Sequence, residues 1–155
     1  MRLEYFQMID SVEALDLDAG TVRVVSRVPD RSPVFEGHFP SFPILPGVMM
    51  LEMINHAAGY LIFRRTNQSK FVFLGGVKRA KFRRFVSPGA VVEVTAKLTH
   101  DGSGFAIAEG SLTVDGDTAA DAEITMIVGD FPNPELATAF KRHFELVPVS
   151  SPATE

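Results

Sequence analysis

The sequence predicts an α+β domain in which one long, buried helix is wrapped by a single curled antiparallel sheet, with an extra helix at the C-terminus. Three observations carry this reading. Residues 48–63 contain no proline and are apolar on nearly every helical face, the mark of a helix surrounded by protein. The segments that follow alternate apolar and polar residues and are punctuated by short Gly- and Asp-rich turns, the pattern of hairpin-linked strands. With 155 residues, 46% of them hydrophobic and 22% charged, the chain has enough apolar surface for one core and is the length of one domain.

Taken in order, residues 3–17 mix Tyr5, Phe6, Met8, Ile9, Val12 and Leu15 with acids, and fit either a short helix or a strand. Asp18-Ala19-Gly20 marks a turn. Residues 21–28 form a half-exposed strand, with Val22, Val24 and Val28 on one face and Arg23, Val25 and Arg27 on the other. Residues 29–33 are a loop. Pro40, Pro43 and Pro46 recur every three residues, which suits an extended, polyproline-like segment and excludes a helix interior. The buried helix then runs from Gly47 or Val48 to Phe63 or Arg64. A short apolar strand is expected at 71–75 and a second strand, basic on one side, at 77–86. Ser87-Pro88-Gly89 turns, and residues 90–99 alternate again. Asp101-Gly102-Ser103-Gly104 is a hairpin loop, and strands at 105–114 and 118–128 flank Asp115-Gly116-Asp117. Asn133-Pro134-Glu135 signals a last helix, with Asn as cap and Pro at the first position. Its Leu136, Phe140 and Phe144 repeat at i, i+4 and i+8, a narrow stripe expected to dock on the sheet or on a neighbouring subunit. Residues 1–132 are thus read as the domain. Residues 133–155 extend it with a helix and a flexible tail, fraying from Val147 on.

Composition excludes several functions. A net charge of −4 disfavours nonspecific nucleic-acid binding. The absence of cysteine rules out disulfides, thiolate catalysis and Cys-based zinc or iron–sulfur sites. The start MRLEYFQMID has acids and no apolar h-region, so no signal peptide is expected. The longest apolar run is broken by Glu52, Asn55 and His56 and falls short of the ~20 residues a membrane span needs. A cytoplasmic protein without membrane insertion is the expectation.

Two polar residues in apolar surroundings attract notice. Glu52 lies in the second turn of the buried helix, where a carboxylate is costly unless paired or neutralised. On burial alone, a salt-bridged Glu at a subunit contact explains it equally well. His38 lies in the proline-rich loop feeding that helix. Alone, it reads more readily as a histidine bonded to a loop carbonyl. Taken together, a fixed imidazole, a carboxyl and the free amides at the helix start near Gly47 are the parts for proton abstraction beside a carbonyl.

The run Gly37-His38-Phe39-Pro40, Pro43, Leu45-Pro46-Gly47-Val48, Leu51-Glu52 and Ala57-Ala58-Gly59 resembles the beta-hydroxyacyl-acyl-carrier-protein dehydratases of the FabZ type. The likeness continues through Phe73-Leu74-Gly75-Gly76-Val77 and Ala80-Lys81-Phe82-Arg83-Arg84 to about Val128. The resemblance implies a hot-dog fold. It implies a homodimer whose sites each take His38 from one subunit and Glu52 from the other, with a trimer of dimers as the further assembly. It implies that His38 removes the C2 proton of a (3R)-3-hydroxyacyl thioester, that Glu52 helps the C3 hydroxyl leave, and that the Gly47 N–H polarises the thioester carbonyl. The implied partner is acyl carrier protein bearing a phosphopantetheine-linked acyl chain. No metal or cofactor is implied, because water loss is proton transfer alone.

The basic run of Lys78, Arg79, Lys81, Arg83 and Arg84 would by itself be a solvated face. Given the resemblance, Lys81, Arg83 and Arg84 are expected to dock the acidic carrier. Three departures stand out: the usual N-terminal His-Arg-Tyr-Pro-like run is absent, Asn55-His56 replaces the common Ala-Gln, and the C-terminal helix is additional. They point to a paralogue for specialised, very-long-chain or lipid A-type acyl groups. His56, four residues after Glu52, is expected to make a local hydrogen bond sooner than to tune the carboxylate. A hot-dog thioesterase and a silent carrier-binding subunit are the competing functions, and the intact His38, Gly47 and Glu52 count against both.

Overall fold

The computed structural model describes residues 6–150. Six strands form one antiparallel sheet in the order β1-β2-β4-β5-β6-β3. They are β1 (Ser11–Asp16), β2 (Thr21–Arg27), β3 (Phe71–Phe82), β4 (Val91–Gly102), β5 (Phe105–Val114) and β6 (Asp117–Gly129). The helices are α1 (Pro33–Gly37), α2 (Gly47–Arg65) and α3 (Pro134–Glu145). The sheet curls around α2, which touches β2, β3, β4, β5 and β6. This is the hot-dog architecture, with α3 added.

Burial of α2 organises the domain. Met50, Met53, Ile54, Ala57, Ala58 and the run Tyr60 to Phe63 are all buried. Each large apolar side chain among them gains about 1.5–3 kcal/mol on leaving water. The facing strand positions are the alternate ones: Val22 and Val24 on β2, Val92, Val94 and Ala96 on β4, Ala106, Ala108 and Leu112 on β5, and Ile124 and Met126 on β6. Where α2 crosses β5 most closely, residue 110 is glycine. A Cβ there would collide with Ile54 and lie 3.1 Å from the Thr95 carbonyl.

The hairpins follow the turn chemistry. Ser103-Gly104 and Asp115-Gly116 both have positive φ at both residues, the two-residue turn that matches strand twist. Residues 11–16 settle as a strand. The expected strands at 71–75 and 77–86 are in fact one, β3, with register shifts at Leu74/Gly76 and Val77/Arg79. Gly75-Gly76, which reads as a strand end, instead lets β3 bulge; a Cβ on Gly75 would lie 2.7 Å from Ile127. The proline-rich segment is not continuously extended. Phe39 and Phe42 exchange backbone hydrogen bonds of 3.3 and 3.0 Å, so Pro40-Ser41 forms a tight turn. The loop expected at 29–33 runs to Ser32, whose side chain caps α1, a short helix not expected from the sequence that starts at Pro33.

The α3 stripe docks within the chain, mainly on the central helix. Phe144 packs on Tyr60 and Phe63, with ring centroids 5.6 and 5.2 Å apart, and Phe140 packs on Phe63 and Phe71. The fraying expected from Val147 does not begin there. Val12 N–H donates to the Pro148 carbonyl at 2.9 Å and Ser150 N–H to the Val12 carbonyl at 2.8 Å, which pins 148–150 along β1. The rest of the expected tail, 151–155, lies outside the described residues. No described helix is long and apolar enough to cross a membrane.

Gly110→Ala should therefore destabilise the fold by about 1–3 kcal/mol, the usual range for overpacking a core. Urea unfolding measures it, and an unchanged midpoint would show that α2 can move away from β5.

Candidate functional site

His38 is the residue at which α1 ends. Its backbone carbonyl accepts from Ile44 N–H at 2.9 Å, and its ring Nδ1 lies 3.0 Å from the Ile44 carbonyl. A carbonyl can only accept, so Nδ1 carries the proton and Nε2 presents a lone pair. The Phe39 ring stacks on the imidazole, with centroids 4.5 Å apart. The carbonyl bond read from the loop alone is thus present, and it leaves Nε2 as the ring's open acceptor.

Leu45 N–H bonds the Val86 carbonyl at 2.7 Å, which ties the loop to the segment that follows β3 and delivers the chain into α2. Pro46 offers no side-chain cap; Met49 and Met50 N–H donate to the Pro46 carbonyl, which leaves the Gly47 and Val48 amides at the helix start without intrahelical acceptors. A Cβ on Gly47 would sit 3.2 Å from the Phe82 ring, so any side chain here would push that ring aside. His38 and Gly47 line one cavity of about 720 Å³, together with Phe82, Arg83, Arg84 and Phe85.

Glu52 is elsewhere. Five residues past Gly47 it has turned about 140° around the helix axis. It lines a second cavity of about 500 Å³, with His56 and Gly59 from α2, Leu74 from β3, and Phe140 and His143 from α3. Its side chain is 39% exposed, so the carboxylate is less buried than its apolar helix implies. Its Oε1 lies 2.7 Å from His56 Nε2, and Asn55 Nδ2 donates to Oε2 at 3.4 Å. The His56 hydrogen bond, against a burial that pushes the other way, holds the Glu52 carboxyl below the usual carboxylate range, with the His56 charge and Asn55 assisting. This corrects the expectation that His56 makes a local bond sooner than it tunes the carboxylate, because the bond it makes is to Glu52. Burial, then the charge of His56, depresses the pKa of His143.

The basic strand is largely paired within the chain. Arg79 and Arg83 both contact Asp121, at 2.5 and 2.6 Å. Lys78 pairs with Glu123 at 3.2 Å and Arg84 with Asp117 at 3.0 Å. These acids all come from β6, across the β3–β6 ladder that sets Lys81 opposite Asp121 and Arg79 opposite Glu123. Sequence reasoning missed them because the partners are some three dozen residues away. It missed His143 for a similar reason: the Leu136/Phe140/Phe144 stripe names the docking face of α3 but not what it docks against.

Residues 2–123 match the model of the FabA-like domain. A 3-hydroxyacyl-[acyl-carrier-protein] dehydratase FabZ from Streptococcus mutans is 32% identical over 124 residues, which cover 79% of this chain and 87% of that protein. Among solved structures, a mutant of the thioesterase PA1618 from Pseudomonas aeruginosa superposes with a TM-score of 0.59 at 17% identity, covering 77% of this chain and 81% of the other. The smu.793 protein from Streptococcus mutans, solved with acetyl CoA, gives 0.62 at 15% identity, covering 84% and 96%. At such identities these two likenesses concern the fold. The matched family segment ends before α3 begins.

The Arg83 guanidinium, opposed by partial burial and helped by Arg79, holds the Asp121 carboxyl below its usual range. A carboxyl depressed in the folded state contributes stability above its unfolded pKa and loses it as pH falls through the folded value. Asp121→Asn should thus lower the urea midpoint slightly at neutral pH, since both arginines are half exposed. The gap from the parent chain should close as the pH drops below the ordinary Asp value of 3.8. A gap that stays constant with pH would mean the contacts are not ionic.

Proposed function

The chain belongs to the FabA-like family, and we propose that it removes water from a (3R)-3-hydroxyacyl thioester carried on acyl carrier protein, giving the trans-2-enoyl thioester for fatty acid synthesis. The observation that carries this reading is the His38 cavity. There an imidazole with its Nδ1–H committed to the Ile44 carbonyl faces the same space as the start of α2 at Gly47.

In this reading His38 Nε2 takes the C2 proton while the Gly47 N–H donates a hydrogen bond to the thioester oxygen as negative charge builds on it. The electron pair left at C2 forms the C2=C3 double bond, the C3–O bond breaks, and the oxygen departs as water with a proton given by Glu52. Glu52 assists that departure directly or through a bound water. No cofactor is required, because only protons move. In the single chain His38 and Glu52 line different cavities, so Glu52 reaches the substrate from a second subunit. Two features support a homodimer. β3 is an edge strand of 12 residues, and long edges invite pairing. Around it and along the outer side of α2, Val48 is 70% exposed and Phe85 72%, with Phe73 and Val77 also open. Covering that face would remove water from Glu52 and push its carboxyl back up, towards the protonated form a donor needs. A trimer of dimers is the larger assembly.

The docking face for the acidic carrier is Lys81, Arg83 and Arg84, of which Arg83 and Arg84 line the His38 cavity. Asn55-His56 and α3 mark the chain as a specialised paralogue, serving very long or lipid A-type acyl groups, since both border the Glu52 cavity. The thioesterase likeness concerns fold alone, and a silent subunit has no need of a tautomer-fixed His38.

Hydration of enoyl thioesters, the reverse reaction, tests the proposal. His38→Ala and Glu52→Gln should each lose ~10²–10⁴-fold, the usual contribution of an acid or base. Mixing the two inactive variants under conditions of subunit exchange should restore part of the activity. Near-parental turnover in both single variants would refute the assignment, and no recovery despite exchange would place the site within one chain.

Reversing the charges of Lys81, Arg83 and Arg84 should raise KM for carrier-bound substrate and leave turnover of a small carrier-free thioester nearly unchanged. Added salt should shrink the difference. Equal losses on both substrates would assign the patch to folding.

A further inference from the structure

Three contacts run in series from the C-terminal helix to Glu52. The first anchors α3: Phe144 packs edgewise on Tyr60 and tilted on Phe63, both buried in α2. The second runs from α3 to His56, whose ring meets His143 edge-on at 5.5 Å and Phe144 at 6.3 Å. The third runs from His56 Nε2 to Glu52 Oε1 at 2.7 Å. His56 Nδ1 is buried without a hydrogen-bond partner. The ring is therefore held by packing on one side, and its one polar engagement is with the carboxylate.

We propose that His56 is a positioning residue for Glu52, and that α3, which lies beyond the family-matched segment, braces His56 in that role. This rests on the dehydratase reading, in which Glu52 takes part in the reaction. A glutamate on an open helix face has three rotatable bonds and samples several rotamers. Here one oxygen is held by His56 and the other by Asn55, so the carboxylate is aimed before substrate arrives. At 2.7 Å against 3.4 Å, the His56 bond is the stronger of the two. The titratable groups lining this cavity are Glu52, His56 and His143. Burial favours neutral His143, so it does not draw the carboxylate away from His56. The cavity wall beyond the carboxylate is apolar, supplied by Leu74, Leu136 and Phe140. A carboxylate swung towards those three side chains would meet no hydrogen-bond donor on them.

The test uses the full chain and hydration of a short enoyl N-acetylcysteamine thioester, in the parent, Glu52→Gln, His56→Ala and His56→Gln. His56→Ala should lower kcat by about tenfold or more, because small misplacement of a reacting group is costly, while KM and melting temperature stay close to the parent. His56→Gln, whose amide can donate to the same oxygen, should recover most of the loss. The Glu52 carboxyl carbon, followed by NMR and identified by its absence in Glu52→Gln, should titrate at higher pH in His56→Ala and return towards the parent in His56→Gln. Parental kcat in His56→Ala, or a fall reflecting only lost stability that Gln does not rescue, would overturn the proposal. If His56→Ala does not fold, Phe144→Leu loosens the brace and leaves His56 in place; a lowered kcat supports the proposal and an unchanged one refutes it. If the parent itself is inactive, the dehydratase reading fails, and the carboxyl titration still decides whether His56 holds Glu52.

Discussion

A 19-residue helix that is apolar on nearly all its faces cannot stand in water, and the architecture follows from giving it surroundings. One sheet face covers only a stripe of a helix, so the sheet must curl until β2 through β6 all reach α2. Curling a single antiparallel sheet needs strong twist, bulges and tight turns, and these are where glycines and positive-φ residues fall. The sheet still leaves part of the helix uncovered. One uncovered sector, towards the C-terminal end, is filled by Phe140 and Phe144 of α3. Another, on the N-terminal turns around Val48 and Glu52, stays open in the single chain. The candidate site lies along that open sector, so the features that make the helix need a wrapping also leave a reactive edge.

Most of the fold is legible in the residues. Ser103-Gly104 and Asp115-Gly116 state their turns outright, because few residues tolerate consecutive positive φ. The alternation of Val22, Val24, Val92 and Val94 states the buried face. Other features are hidden because one local signal has two physical meanings. Gly75-Gly76 reads as the end of a strand, yet close approach of Ile127 demands a residue without a side chain inside a continuous one. Pro40, Pro43 and Pro46 forbid a helix but do not choose between an extended run and a turn, and the paired amides of Phe39 and Phe42 decide for a turn at Pro40. The Pro/Ser content of the C-terminal tail suggests fraying, but 148–150 find bonding partners on β1.

The candidate site divides the same way. His38, Gly47 and Glu52 are visible as a motif because each is a polar or minimal residue where apolar bulk is the rule. Their division between two cavities is not visible, because it comes from the helical rotation between positions 47 and 52 together with the walls that β3 and α3 supply. The charge of the basic strand is likewise misjudged from sequence: Arg79, Arg83 and Arg84 already have acids against them, so Lys81 carries more of the unspent charge.

The proposed chemistry constrains how the two cavities are used. The proton leaves C2 and the oxygen leaves C3, atoms only about 1.5 Å apart. A base and a carboxylate serving them must converge on one small volume, within hydrogen-bond reach of neighbouring atoms. Within one chain the tautomer-fixed His38 faces the Phe82 and Phe85 side, and Glu52 faces α3. Moving either would break what orients it: the Ile44 carbonyl bond for His38, or the His56 and Asn55 contacts for Glu52. Under the proposed reaction it is cheaper to bring up a second copy across the open edge of β3 than to reshape the first. Under that proposal, the stiffness that orients each residue is the reason that neither completes the site within one chain.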